Sequence, residues 1–185
     1  MRLGRASGIV VLAAACAACS GAIAGTATPP IVFAADRAPA LTGEVYRLDA
    51  DGRLVDLSKS PFADSTASVS PDGRSVAFAS NRGGSGGIYV AAIDGSGLQR
   101  LETPTIDMGP QGQQIELAWA PDSRRLAVIS GNGISSRLAV VGPGRKPVVL
   151  MRKLAVLPSW SPEGRLVTVL VNRGFSAYRA TGGLA

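Results

Sequence analysis

The sequence predicts an all-β fold made of one sheet unit repeated along the chain, and three observations carry that prediction. A proline-centred turn recurs at Pro71, Pro121 and Pro162, with spacings of 50 and 41 residues, which bracket the roughly 40–45 residues of a four-stranded propeller blade. Each turn leads into a short apolar run: Val76-Ala77-Phe78-Ala79, Leu126-Ala127-Val128-Ile129 and Leu166-Val167-Thr168-Val169. Runs of this length, bounded by turn residues, fit buried strands, and no segment sustains the period of a helix of ten or more residues. Sheets of this kind cannot bury both faces alone, and radial packing against neighbours is the standard solution. The expected fold is therefore a β-propeller, here a partial one of about 3.5 to 4 blades of four-stranded antiparallel sheets.

Residues 1–24 read as an export leader. Arg2 and Arg5 form a basic start, and a short apolar run follows from Gly8 to Ala18 and ends among small residues, the succession of a signal peptide. The run is too short to span a bilayer, which takes about 20 apolar residues, so the mature chain is expected outside the cytoplasm. Two processing routes fit. Ala22-Ile23-Ala24 before Gly25 has the small-x-small pattern of signal peptidase, whereas Ala17-Ala18-Cys19-Ser20-Gly21 resembles a bacterial lipoprotein site with Cys19 as the lipidated residue, although Cys16 stands where that pattern usually has Leu. Both cysteines lie in the leader, so the mature domain forms no internal disulfide.

Residues 25–30 form a short linker, and residues 31–185 form the repeat domain, with blades at about 31–57, 66–101, 115–151 and 156–183. The first unit runs through Ile31-Val32-Phe33-Ala34, Glu44-Val45-Tyr46-Arg47-Leu48, the turn Asp51-Gly52 and Leu54-Val55-Asp56-Leu57, and it is expected to lack an opening strand. The second opens on Ser68-Val69-Ser70-Pro71-Asp72-Gly73-Arg74, then continues through Asn81-Arg82-Gly83, Ile88-Tyr89-Val90 and Asp94-Gly95. The third opens on Leu117-Ala118-Trp119-Ala120-Pro121-Asp122-Ser123-Arg124, after a loop between Thr103 and Gln114 that lengthens the first interval. The fourth opens on Ser159-Trp160-Ser161-Pro162-Glu163-Gly164-Arg165 and follows with Asn172-Arg173-Gly174, Ala177-Tyr178-Arg179 and Gly182-Gly183. Fourteen strands are expected, the last unit stopping after its third. Pro presets φ at the second turn position, Asp bonds back to the local backbone, and Gly accepts the positive φ of a tight hairpin.

The Ser-Pro-Asp-Gly-Arg turn at 70–74, the Ala-Phe-Ala-Ser-Asn-Arg strand at 77–82 and the Ile-Tyr-Val strand at 88–90 closed by Asp94-Gly95-Ser96 resemble the WD-like repeat of TolB-type propellers. The resemblance covers residues 31–183. Ser123 replaces the turn Gly in one unit and Glu163 the turn Asp in another. The resemblance implies a bacterial envelope propeller of usually six or seven blades that works by protein interaction.

The chemistry-bearing residues point away from catalysis. Residues 83–87, Gly-Gly-Ser-Gly-Gly, fit a nucleophile elbow as a string, but the chain has no His, so Ser85 has no base for a relay; a hairpin loop is expected there. Asp49-Ala50-Asp51-Gly52 resembles the opening of a calcium loop but lacks the closing Glu, and reads as a hairpin turn. No catalytic residue, cofactor site or metal site is expected. Arg145, Lys146, Arg152 and Lys153 flank the apolar segment from Pro147 to Met151; anionic headgroups could be their target, but charges guarding an exposed blade edge are the expected role. Arg74, Arg124 and Arg165 occupy one repeat position, and so do Trp119 and Trp160, which are expected to pack between blades. Losing Arg2 and Arg5 lowers the formal charge from +6 to +4, a mild excess that favours solubility and announces no nucleic-acid partner.

The expected function is a non-enzymatic protein-binding or scaffolding module of the cell envelope, exported, periplasmic or envelope-associated, with a membrane tether through Cys19 if it is lipidated. An envelope protein is the expected partner, together with self-association through the terminal blades, whose apolar faces a partial ring would leave bare. The alternative is the gating propeller of a prolyl-oligopeptidase-type serine hydrolase, separated from its catalytic domain.

Overall fold

The computed structural model describes residues 12–13, 29–37, 42–104, 106, 114–131, 136–152, 156–171 and 174–181. They form fifteen strands and no helix, arranged in four sheets. Blade 1 comprises β1 (Leu12–Ala13), β2 (Ile31–Arg37), β3 (Thr42–Leu48) and β4 (Leu54–Asp56); blade 2 comprises β5 (Asp64–Val69), β6 (Ser75–Ser80), β7 (Gly87–Ala92) and β8 (Gln99–Arg100). Blade 3 comprises β9 (Gln114–Trp119), β10 (Leu126–Gly131), β11 (Ser136–Val141) and β12 (Val148–Met151); blade 4 comprises β13 (Val156–Trp160), β14 (Leu166–Val171) and β15 (Gly174–Arg179). Every strand pairs antiparallel with its predecessor in its own sheet, and the opening strands adjoin from blade to blade, with β2 and β3 against β5, β5 against β9 and β9 against β13. This is the all-β partial propeller that the turn spacing predicts.

One element differs from expectation. The first unit does not lack an opening strand: Leu12 and Ala13 pair with Phe33 and Val32 at the inner edge of β2. An edge strand presents a row of unpaired backbone donors and acceptors, and two residues of the leader segment satisfy part of that row. The sheet therefore reads as four strands, whereas blade 4 has three among the described residues.

The sequence sets the turns in register. Gly73, Ser123 and Gly164 stand at one repeat position with φ of 71°, 55° and 66°. Ser123 adopts the left-handed conformation that Gly fills in the other two units, and its Oγ accepts the amide of Asp72 from the preceding blade at 3.1 Å. The loss of Gly thus yields a strained turn with one bond across the seam. A second repeat feature is a bulge in the opening strands, where Thr66 in β5 and Leu157 in β13 have φ of 48° and 56° and the pairing register slips around them. Both lean on blade 3, through Thr66 Oγ1 to the Ile115 carbonyl and the Leu157 amide to the Glu116 carboxylate.

The core lies in the seams between blades, as one apolar cluster per seam. The first holds Val32, Val45 and Leu57 of blade 1 against Val76, Phe78, Tyr89 and Ala91 of blade 2. The second holds Ala77, Ala79, Ile88 and Val90 of blade 2 against Leu126, Val128, Ala139 and Val141 of blade 3. The third holds Ala127, Ile129, Leu138 and Val140 of blade 3 against Val167 and Val169 of blade 4, with Trp160 and Tyr178 packed beside them. Alternation along each strand sends neighbouring residues to opposite seams, which is why nearly continuous apolar runs appear where a strand has a blade on either side.

Candidate functional site

The structure distributes the sequence-nominated residues among turns, seams and edges. Residues 83–86 lie in the hairpin loop between β6 and β7, Gly87 opens β7, and Ser85 Oγ accepts a bond from Arg100 at 3.2 Å. Asp49 and Asp51 close a hairpin: the Gly52 amide donates to the Asp49 carbonyl, the Arg53 amide to Asp51, and Asp49 pairs with Arg47 at 2.8 Å. Arg145, Lys146 and Arg152 are exposed around β12, the outer strand of blade 3, where charge discourages edge pairing; Lys153 lies outside the described residues. Cys16, Cys19 and the cleavage sites around Gly25 also lie outside them. No cluster of three or more metal-ligating side chains occurs among the described residues.

Three polar features that sequence reading missed lock the seams. The tryptophans pack as expected, but each also donates its indole N–H to the preceding blade, Trp119 to the Ser68 carbonyl at 3.0 Å and Trp160 to the Ala118 carbonyl at 2.8 Å. Arg125 lies over the Trp160 ring at 5.0 Å, pairs with Asp122 and donates to the Gly164 carbonyl of blade 4. Arg82 pairs with fully buried Asp64 at 3.0 Å, donates to the Ser58 carbonyl, and stacks over Phe78 and Tyr89. Glu44, also buried, accepts from Ser58 Oγ at 2.7 Å. Charge inside a seam is tolerable only when paired and hydrogen-bonded in this way.

The turn carboxylates are tuned by the same local bonding. Burial pushes Asp72 upward, but the Ser70 hydroxyl, the Arg74 amide and charge, and the Ser123 hydroxyl together hold it below the usual 3.8. Burial likewise opposes the Arg124 amide and the Arg125 guanidinium at Asp122, and the bonds prevail.

What remains is the surface that no seam absorbs. In blades 2 and 3 the face toward the next blade is carried by Ile88 and Leu138, each 0% exposed. The register places Phe175 at the same position of blade 4, opposite Leu170 as Ile88 is opposite Ala79 and Leu138 opposite Ile129; Phe175 is 79% exposed. Leu166, Thr168, Leu170 and Ala177 share this face. At the other end of the arc, Ile31, Phe33, Tyr46 and Leu48 of blade 1 hold the positions of Val76, Phe78, Tyr89 and Ala91. Ile31 is 48% exposed where Val76 is 0%. The aromatic pairs correspond too: Phe33 and Tyr46 have ring centroids 5.8 Å apart, Phe78 and Tyr89 6.2 Å. The molecule thus ends, on both sides, in faces built as halves of a blade seam.

A ring sector of antiparallel blades with seam faces at both ends defines a partial β-propeller. Its fold is that of TolB-type propellers. TolB from Acinetobacter baumannii superposes with a TM-score of 0.60 at 22% identity, over 83% of this chain and 38% of that one. A putative TolB from Agrobacterium tumefaciens gives 0.56 at 21% identity, over 74% of this chain and 52% of its own, and dipeptidyl peptidase 4 from Porphyromonas gingivalis gives 0.59 at 11%, over 85% and 30%. The chain therefore spans about half or less of the length of each of these structures. No family model matches the sequence.

Proposed function

We propose that this chain is a non-catalytic, protein-binding propeller module of the bacterial cell envelope. The carrying observation is the apolar face of blade 4, where Phe175 projects at a position that is fully buried in the two preceding blades. Exposed apolar surface of this kind marks protein contact sites. The likeness to TolB structures supports an interaction role, and the leader-like residues 1–24 support export, with Cys19 as the residue that would carry a lipid. An envelope protein is the proposed partner.

A photo-crosslinking residue placed at position 175 in the native host tests the reading. The expected result is a covalent adduct with an envelope protein, identified by mass spectrometry and reproduced by a reciprocal crosslinker on that partner, and absent when the residue is placed at exposed Glu102. No adduct at 175, or equal adducts at both positions, would contradict it. Intact mass of the mature protein reads the address: loss of residues 1–24, or a diacylglyceryl group on Cys19, is expected, and retention of Met1 contradicts export.

A second reading draws on the likeness to the Porphyromonas gingivalis peptidase, as the gating propeller of a serine hydrolase. It requires a catalytic domain with its own Ser, Asp and His. Under the leading reading the purified chain cleaves no peptide or ester substrate and Ser85→Ala changes nothing; hydrolysis abolished by that substitution would overturn it.

A further inference from the structure

The two uncovered faces are not two unrelated patches. Each blade seam joins a next-facing surface, built at the positions of Ile88 and Val90 or Leu138 and Val140, to a previous-facing surface built at the positions of Val76, Phe78, Tyr89 and Ala91. Blade 4 presents the first kind through exposed Phe175 with half-buried Leu170 and Ala177, and blade 1 presents the second through exposed Ile31 with half-buried Phe33, Tyr46 and Leu48. The chain carries both halves of an interface that it already forms three times internally.

We propose that two copies of this chain join head to tail, the next-facing surface of blade 4 of one copy docking on the previous-facing surface of blade 1 of another. The inference deepens the reading of the blade 4 face as a protein-binding surface by committing it to one occupant. Three observations select a second copy. Polarity is the first, since a next-facing surface fits a previous-facing one and not another of its own kind; pairing two blade 4 faces would set Phe175 against Phe175 in a geometry that no internal seam uses. Shape is the second, because blade 1 presents the same Phe-Tyr pair that blade 2 inserts into the first seam. Charge is the third. The turn end of the blade 4 face carries exposed Arg165, and the corresponding end of blade 1 carries the hairpin with exposed Asp51. Inside the chain, that end of a seam is bridged by Arg47 of blade 1 donating to the Ile93 carbonyl in the matching hairpin of blade 2 at 2.8 Å.

A head-to-tail contact closes into a ring when its rotation permits and otherwise grows as an open filament. Two copies bring eight blades, at the upper end of the four to eight usual in propellers, and the rotation at the contact decides between a two-copy ring and a longer chain of copies.

Sedimentation velocity on the purified chain without its leader residues 1–24 tests this with two surface variants. Phe175→Glu disables the tail and Leu54→Glu, at a position opposite Leu48 on the same face, disables the head; both residues are largely exposed, so both variants are expected to fold, as circular dichroism can verify. Wild type is expected to sediment as a two-copy species, with larger species only if the ring stays open. Each variant alone is expected to weaken association at least tenfold, or about 1.4 kcal/mol. Mixing the two restores one intact head and one intact tail, and a discrete dimer is expected in the mixture only. A monomer at all concentrations overturns the proposal, and so does association of Leu54→Glu alone equal to wild type, which would mean like faces pair. Because the experiment contains no other protein, a monomer here leaves the crosslinking test of an envelope partner standing, whereas an adduct at position 175 with a different protein and none with a second copy overturns self-association through this face.

Discussion

Leu138 and Phe175 stand at the same place in successive blades, and one is fully buried while the other is 79% exposed. Both are large and apolar, both sit in the third strand, and both oppose the same position of the second strand, Ile129 and Leu170 respectively. The difference arises outside either blade. A seam face is written into each repeat whether or not a further blade covers it, so burial in this fold is a property of the neighbour and not of the strand. The third seam is also locked by polar bonds that the open face cannot form: Trp160 donates to blade 3 and Arg125 reaches the Gly164 carbonyl of blade 4.

Substitutions can break or sharpen that contrast. The largest effect is expected at the charged cap of the first seam. Arg82→Met leaves the Asp64 carboxylate buried without its cation, and loss of about 3–5 kcal/mol is expected in chemical denaturation. Next comes the matched pair: Leu138→Ala should cost about 2–5 kcal/mol by opening a cavity, whereas Phe175→Ala in dilute protein should change stability by no more than about 0.5 kcal/mol. Equal losses would mean that the blade 4 face is covered. Smaller than the Leu138 loss, Gly164→Ala should cost about 1–2 kcal/mol, since its φ of +66° disfavours a side chain and the new Cβ would lie 2.8 Å from Arg125 Nη2.

The smallest effect is a pH dependence. Asp72 and Asp122 have folded-state values below their unfolded 3.8, so the unfolded chain binds protons more readily than the folded one as the solution acidifies. Their stabilisation is therefore fully present above pH 3.8 and is lost as pH falls through the lowered folded values. Asp72→Asn with Asp122→Asn should flatten the acid limb of the stability curve, measured as melting temperature against pH, by lowering stability in the neutral region toward its acid value. An unaltered acid limb would contradict this.

The architecture was legible because its determinants are local and repeated. Three Pro turns and their following strands set the repeat spacing and register, and the departure at Ser123 changed a φ-preferring residue without moving φ out of the left-handed region. Features that occur once were not legible. Asp64 meets the seam through Arg82, 18 residues away, and the third unit has Ile115 at the corresponding register, so no repeat betrays it. Arg125 follows the repeat arginine Arg124 and has no counterpart in the other turns, and its position beside the Trp160 ring depends on how two blades meet. The opening strand of blade 1 was missed for a related reason: Leu12–Ala13 carries no turn motif, and its pairing follows from the vacant edge of β2. The candidate site was half legible, since bare terminal faces follow from an incomplete ring, but Phe175 emerges as its centre only when strand register is known.

Hydrogen exchange of the full chain at low and high protein concentration tests the central claim most directly, because it reads the closed and the open faces in one molecule. At low concentration the amides of β10 and β11, flanked by strands and sealed in the third seam, are expected to exchange slowest, and those of β15 much faster. Raising the concentration is expected to slow exchange in β15 and in β2 and β3 while leaving β10 and β11 unchanged. Protection of β15 equal to that of β11 at the lowest concentration would show that its face is covered within a single copy, and would contradict the account.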